Sequence, residues 1–135
     1  MTKMYSSILA LGTMLLATVV NAQDVTTEVL ENAQELSDRW VHYGKNYGAW
    51  RYMPDDQINK ETVADLRPVW IKQTGVTGGA FEVSAMVNDG RMYLTTANSH
   101  LIVVDPMTGD TLWRYDHDFE NVDLCCGPHN RGVAL

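Results

Sequence analysis

Positive charge is scarce in this chain. Lysine and arginine number 10 against 17 aspartates and glutamates, for a net charge of −7. There is no basic run and no phosphate-cradling glycine loop, which argues against nucleic acid and anionic membrane surfaces as partners. Cysteine is nearly absent as well: the chain has 2, and they are neighbours, Cys125 and Cys126. Adjacent cysteines exclude the spaced pairs of a zinc site and an ordinary disulfide across a fold. The one long apolar run, residues 8–20, is too short to span a bilayer well. With 45% hydrophobic and 20% charged residues over 135 positions, the composition describes a globular domain with a core, not a disordered chain.

The apolar run has a different reading. Lys3 supplies a positive start, residues 8–20 an apolar centre, and Val20-Asn21-Ala22 small residues at a cleavage point. Residues 1–22 are therefore expected to be a signal peptide, and the protein to be periplasmic. Gln23 stands where a lipoprotein would carry cysteine. Export places the two cysteines in an oxidising compartment, where they are able to bond.

Residues 23–68 are expected to form a helical and irregular segment. Thr27 is a candidate cap, with Glu28 and Glu31 in the first turn and Val29, Leu30, Ala33 and Leu36 near helical spacing. Trp40 to Pro54 is dense in aromatics and glycine with neither period, which predicts an ordered irregular stretch pinned by aromatic burial. Asn59 caps a short helix over residues 60–66, ended by Pro68.

Residues 69–135 change character. Val69 to Thr74 reads as a strand closed by Gly75. Phe81 to Val87, Arg91 to Thr96, His100 to Val104 and Thr111 to Tyr115 read as four more, joined by short turns. Asn88-Asp89-Gly90 is a strong hairpin signal. In Asp105 to Asp110, the aspartate is placed to accept turn amides and Gly109 to take a positive φ. Spacing of about ten residues with short turns predicts a four-stranded antiparallel meander. Leu101-Ile102-Val103-Val104 does not alternate, so both faces of that strand want burial. A small sheet buried on both faces is the pattern of a propeller blade.

The last stretch is Cys125-Cys126-Gly127-Pro128-His129-Asn130-Arg131-Gly132. If the cysteines bond to each other they close an eight-membered ring that holds their peptide off its relaxed form. A reduced buried pair, or a bridge to another chain, is also open. Gly127 and Pro128 turn the backbone, and Asn130-Arg131 sets a fixed cation beside an amide.

Several of these motifs together resemble a known family. Asp105-x-x-Thr108-Gly109-x-x-x-Trp113 resembles the tryptophan-docking motif of eight-bladed quinoprotein propellers. Trp40-x-x-Tyr43-Gly44, Arg51-Tyr52-x-Pro54, Gln57-Ile58-Asn59 and Val63-x-x-Leu66-x-Pro68-x-Trp70 look like the N-terminal segment of exported quinoprotein alcohol dehydrogenases. The most specific match is Cys125-Cys126-Gly127-x-x-Asn130-Arg131-Gly132-x-Ala134. The resemblance implies an all-β fold: the first blade and N-terminal segment of an eight-bladed quinoprotein β-propeller, with short N-terminal helices, or roughly one blade of eight.

It also implies a function. The family oxidises primary alcohols with pyrroloquinoline quinone and a calcium or lanthanide ion, and passes electrons to a cytochrome c or quinone acceptor. In it the adjacent cysteines form a ring disulfide against one face of the quinone, the role that falls to Cys125 and Cys126. Arg131 matches the arginine at the cofactor's carboxylates, and Glu82 matches a glutamate in the first blade strand that also reaches it. A planar tricarboxylate needs a flat wall and donors at its rim, and the Asn130 amide is expected at that rim beside Arg131. Ala85 departs from a proline common in relatives, and His129 from a small apolar residue. The family's metal ligands and catalytic base lie in later blades, so no residue of 1–135 is assigned to metal or to catalysis. The chain by itself is expected to be inactive. The alternative is a cofactor-free propeller scaffold or binding module of the cell envelope.

Overall fold

The structure, a computed structural model, describes residues 24–118 and 126–135. The expected signal peptide and Cys125 lie outside the described residues. Near the start, Thr26 caps helix α1 (Thr27–Glu31), its hydroxyl accepting the Val29 N–H at 3.3 Å. The cap thus falls one residue before the expected Thr27. The helix is only five residues long. It ends at Asn32, whose side-chain amide donates to the Glu28 carbonyl at 2.9 Å, a local competitor of the kind that makes asparagine a poor helix interior. A single 3₁₀ turn, Ala33–Glu35, follows.

The sheet has four antiparallel strands in sequence order: β1 (Met86–Asn88), β2 (Arg91–Thr95), β3 (Leu101–Val104) and β4 (Thr111–Tyr115). Each turn follows from its residues. Asp89 and Gly90 both take positive φ, 49° and 65°, as a two-residue hairpin whose twist matches its strands requires. In the third turn Asp105 Oδ1 accepts the Met107 and Thr108 amides at 2.7 and 3.2 Å, and Gly109 sits at φ 75°.

Register sorts the side chains by face. Met92 pairs with Val104, and Leu94 with Ile102. These four share one face, where Leu94, Ile102 and Val104 form a core against Val83 and Ala85. Val103 points to the other face, between Tyr93 and Trp113, and is fully buried. The unalternating third strand is therefore buried on both sides. Strand β4 is exposed throughout, and Trp113 is 48% exposed.

Two expected extended elements differ. Residues 69–74 are extended and alternate, with Val69 and Ile71 84% and 86% exposed while Trp70, Lys72 and Thr74 are half-buried. Yet the segment joins no ladder among the described residues. Side chains hold it instead. Trp70 Nε1 donates to the Pro106 carbonyl (2.9 Å), Lys72 Nζ to the Gly109 carbonyl (3.1 Å), and Arg114 to the Thr74 carbonyl (2.9 Å). The second difference is β1, which starts only at Met86. Before it, Ser84 N–H donates to the Arg131 carbonyl (3.3 Å) and its hydroxyl to the Tyr43 carbonyl (3.0 Å). Those bonds draw the chain away from β2, so Glu82 lies in an irregular lead-in and not in a strand.

On the β1 edge of the sheet, Trp40 and Val87 exchange two backbone hydrogen bonds, 2.8 and 2.9 Å. The irregular stretch that follows is pinned differently from the sequence expectation. Tyr47, Trp50 and Tyr52 are exposed. The buried anchor is Lys45. Its ammonium donates to the Leu36 carbonyl and, at 2.6 Å, to the Arg39 carbonyl, and lies 5.9 Å from the Trp40 ring centroid. Burial pushes this ammonium below the ordinary lysine value, with Asp38 partly opposing the shift. Asn59 does cap a turn as expected, its Oδ1 accepting the Glu61 and Thr62 amides, but only one 3₁₀ turn (Val63–Asp65) follows.

Candidate functional site

The segment 126–133 lies across one end of the sheet and meets the aromatic stretch there. Three contacts place it. First, Gly79 packs so closely that a β-carbon on it would lie 2.5 Å from the Ala97 β-carbon and 2.9 Å from the Pro128 carbonyl oxygen. Only glycine lets the turn after the cysteines come down onto the end of β2. Second, His129 Nε2 meets the Cys126 carbonyl at 2.8 Å. A carbonyl only accepts, so that nitrogen carries the proton. Third, the Asn130 side chain bridges to the sheet: Oδ1 accepts from Thr95 Oγ1 (2.6 Å) and Gly132 N–H (2.9 Å), and Nδ2 donates to Ser99 Oγ (2.9 Å).

Asn130 is therefore not a rim group. Three of the amide's four hydrogen-bonding positions are used inward. The expectation that it faces a ligand is corrected, because it rested on chain adjacency to Arg131 and could not register the hydroxyls of Thr95 and Ser99.

Arg131 points the other way. Its side chain is 75% exposed, with Nη2 3.6 Å from Glu82 Oε2. The structure thus brings Arg131 and Glu82 together although 49 positions separate them in sequence. An exposed pair at this distance contributes at most about 1 kcal/mol, so the guanidinium keeps donors for another anion. Tyr43, Met86, His129, Asn130, Arg131, Gly132 and Val133 line an open cleft of about 430 Å³. Cys126 is exposed beside this turn. The pairing of Cys125 with Cys126 lies outside the described residues.

Sequence reasoning missed Ser84, Thr95, Ser99 and Gly79 as the supports of this site. Isolated hydroxyls and a loop glycine carry no local pattern that distinguishes a support from a surface residue. Among the described residues, no group of three or more His, Cys, Asp or Glu is placed to hold a metal ion. His100 is structural, its Nδ1 accepting the His117 N–H at 3.0 Å. Trp50, expected to be pinned by burial, is largely exposed, and Trp113 is half-exposed. No helix among the described residues is long and apolar enough to cross a membrane.

A four-stranded antiparallel meander with a doubly buried third strand, flanked by a long irregular lead-in, is a β-propeller blade. Residues 40–135 match the family model described as the β-propeller domain of PQQ glucose/ethanol/alcohol dehydrogenases. The chain belongs to this PQQ-dependent alcohol dehydrogenase family. The quinoprotein ethanol dehydrogenase of Pseudomonas putida is 32% identical over 131 residues, covering 96% of this chain and 21% of that protein. The dehydrogenase subunit of the quinone-type alcohol dehydrogenase of Komagataeibacter europaeus is 36% identical over 122 residues, covering 88% of this chain and 16% of its own length. Among solved structures, the quinohemoprotein alcohol dehydrogenase from Comamonas testosteroni aligns with a TM-score of 0.70 at 32% identity, over 82% of this chain and 17% of that one. A europium-containing methanol dehydrogenase aligns with a TM-score of 0.65 at 27% identity, over 81% of this chain and 20% of that one. The chain thus spans about a fifth of the length of these relatives.

Proposed function

We propose that this chain supplies one wall of the quinone site in an exported, periplasmic PQQ-dependent dehydrogenase that oxidises primary alcohols to aldehydes. Residues 1–22 act as the signal peptide, 23–68 as the lead-in, and 69–135 as the first blade and the start of the next. Glu82, Cys125, Cys126 and Arg131 contact the cofactor, and Cys125 and Cys126 pair as a disulfide. The observation that carries this reading is Arg131: an exposed guanidinium, loosely paired, at the edge of an open cleft in a chain of this family.

The residues present fit the cofactor. A planar tricarboxylate needs a cation with unspent donors, and Arg131 provides one. Glu82, 3.6 Å from it, keeps the guanidinium near the cleft and offers an acceptor to a donor on the ligand's edge. When bound, pyrroloquinoline quinone together with a calcium or lanthanide ion would supply the two-electron acceptor for the alcohol. This chain's share is to bind, orient and exclude water. None of the described residues is assigned to the hydride or proton step, and electrons leave to a cytochrome c or quinone acceptor.

Two measurements test the reading. Titrating pyrroloquinoline quinone into the 135-residue chain is expected to show weak binding that Arg131→Ala reduces about tenfold, the loss of one charge-assisted contact. Unchanged affinity in that variant would remove Arg131 from the site. Dye-linked alcohol oxidation by the chain alone, with quinone and metal added, is expected to be absent, because one blade leaves apolar surface that repeat architectures bury against neighbours. Turnover by the chain alone would refute that part.

A further inference from the structure

We infer that Asn130 is a positioning residue that aims Arg131 into the cleft by clamping its backbone to the β2–β3 hairpin; the inference rests on the quinone-site reading of Arg131 given above. The amide's orientation is settled by Gly132: a backbone N–H at 2.9 Å must meet the carbonyl oxygen, so Oδ1 faces it and Nδ2 faces Ser99. Oδ1 also takes the hydroxyl of Thr95, a buried residue at the end of β2. Ser99 sits in the turn that follows β2, so both hydroxyl partners belong to one hairpin.

The clamp surrounds Arg131 on the chain. Asn130 before it is tied to the hairpin, Gly132 after it is tied to Asn130, and its own carbonyl accepts the Ser84 N–H at 3.3 Å. Gly132 adopts φ 147°, a value side chains rarely take. The backbone is thus held from three sides while, among the described residues, the guanidinium pairs with Glu82 alone, at 3.6 Å. A fixed main chain under a free charged head is the arrangement that presents a cation in one place at little entropic cost on binding.

The test is a double-mutant cycle on the 135-residue chain, read as pyrroloquinoline quinone affinity. Asn130→Ala is expected to weaken binding about tenfold when Arg131 is present, and less than about twofold when Arg131→Ala is already in place. Equal losses in both backgrounds would overturn the inference, since a general structural defect does not care whether the guanidinium is there. Thr95→Val should give the same coupling in milder form and Thr95→Ser should restore affinity, which keeps the cycle readable if Asn130→Ala folds poorly. A second readout needs no quinone. Amide exchange at Ser84 and Gly132 should accelerate about tenfold in Asn130→Ala, while the β2–β3 ladder amides stay protected. Unchanged exchange at those two amides would also overturn the clamp. If Arg131→Ala leaves quinone affinity untouched, the quinone-site reading fails, and the exchange experiment decides the clamp alone.

Discussion

Trp70 lies flat against Gly109: a β-carbon on the glycine would sit 2.7 Å from Cδ2 and 2.8 Å from Cε3 of the indole. The contact ties the extended segment 69–74 to the turn between β3 and β4, and the indole N–H finishes the tie on the Pro106 carbonyl at 2.9 Å. One glycine thus serves two ends. It permits the φ of 75° that closes the turn, and it leaves room for a ring from 39 residues earlier.

Gly109→Ala meets both constraints at once. A left-handed backbone without glycine and an overpacked ring contact together are expected to cost about 2–4 kcal/mol. Urea denaturation followed by tryptophan fluorescence measures it. A midpoint within error of the parent chain would mean that Trp70 does not rest on this turn.

Lys45→Met keeps the aliphatic stem but strips the Leu36 and Arg39 carbonyls of their buried donor. A loss of about 2–3 kcal/mol is expected. The pH dependence has a definite sign. Burial lowers the folded-state pKa of Lys45 below 10.5, so between the two values the unfolded chain binds more protons. Stability of the parent relative to Lys45→Met should then rise as pH climbs through that window, and be constant below it. Matched denaturation curves from neutral pH to about 10.5 check this, and a falling difference would contradict the buried, charge-disfavoured lysine.

Gly79→Ala drives a methyl group into the Ala97 side chain and the Pro128 carbonyl. Overpacking there is expected to cost about 1–3 kcal/mol and to lift the turn that carries Asn130 and Arg131. The companion change Ala97→Gly removes one of the two obstacles and should return part of the loss. Thermal unfolding of both single variants and the double variant gives the coupling. Strict additivity would show that Gly79 and Ala97 do not touch in solution.

Much of the blade was legible because its information is local. Asn88-Asp89-Gly90 announces two positive φ angles, and Asp105 with Gly109 announces the third turn, because each residue satisfies the backbone within three or four positions of itself. Strand β4, Thr111–Tyr115, falls where the ten-residue spacing and the preceding turn put it. Strand β3 was marked by its unbroken apolar run. The segment 69–74 was not legible in the same way: its pattern is that of a strand, but ladder membership depends on a partner backbone.

What the sequence determined by itself is the class of fold, the turn chemistry and the family. These rest on backbone preferences and spacing that each short stretch carries without its neighbours. The tertiary structure alone decided where the side chains spend their hydrogen bonds. It turned the Asn130 amide inward onto Thr95 and Ser99 and set Glu82 beside Arg131 from an irregular lead-in. It also buried Lys45 where aromatic rings were expected. The physical reason is the same in each case: a polar group's orientation is fixed by whichever partner folding brings close. The partners of Asn130 and Arg131 lie tens of residues away along the chain, and those of Lys45 are carbonyls 6 and 9 residues back that no local pattern singles out.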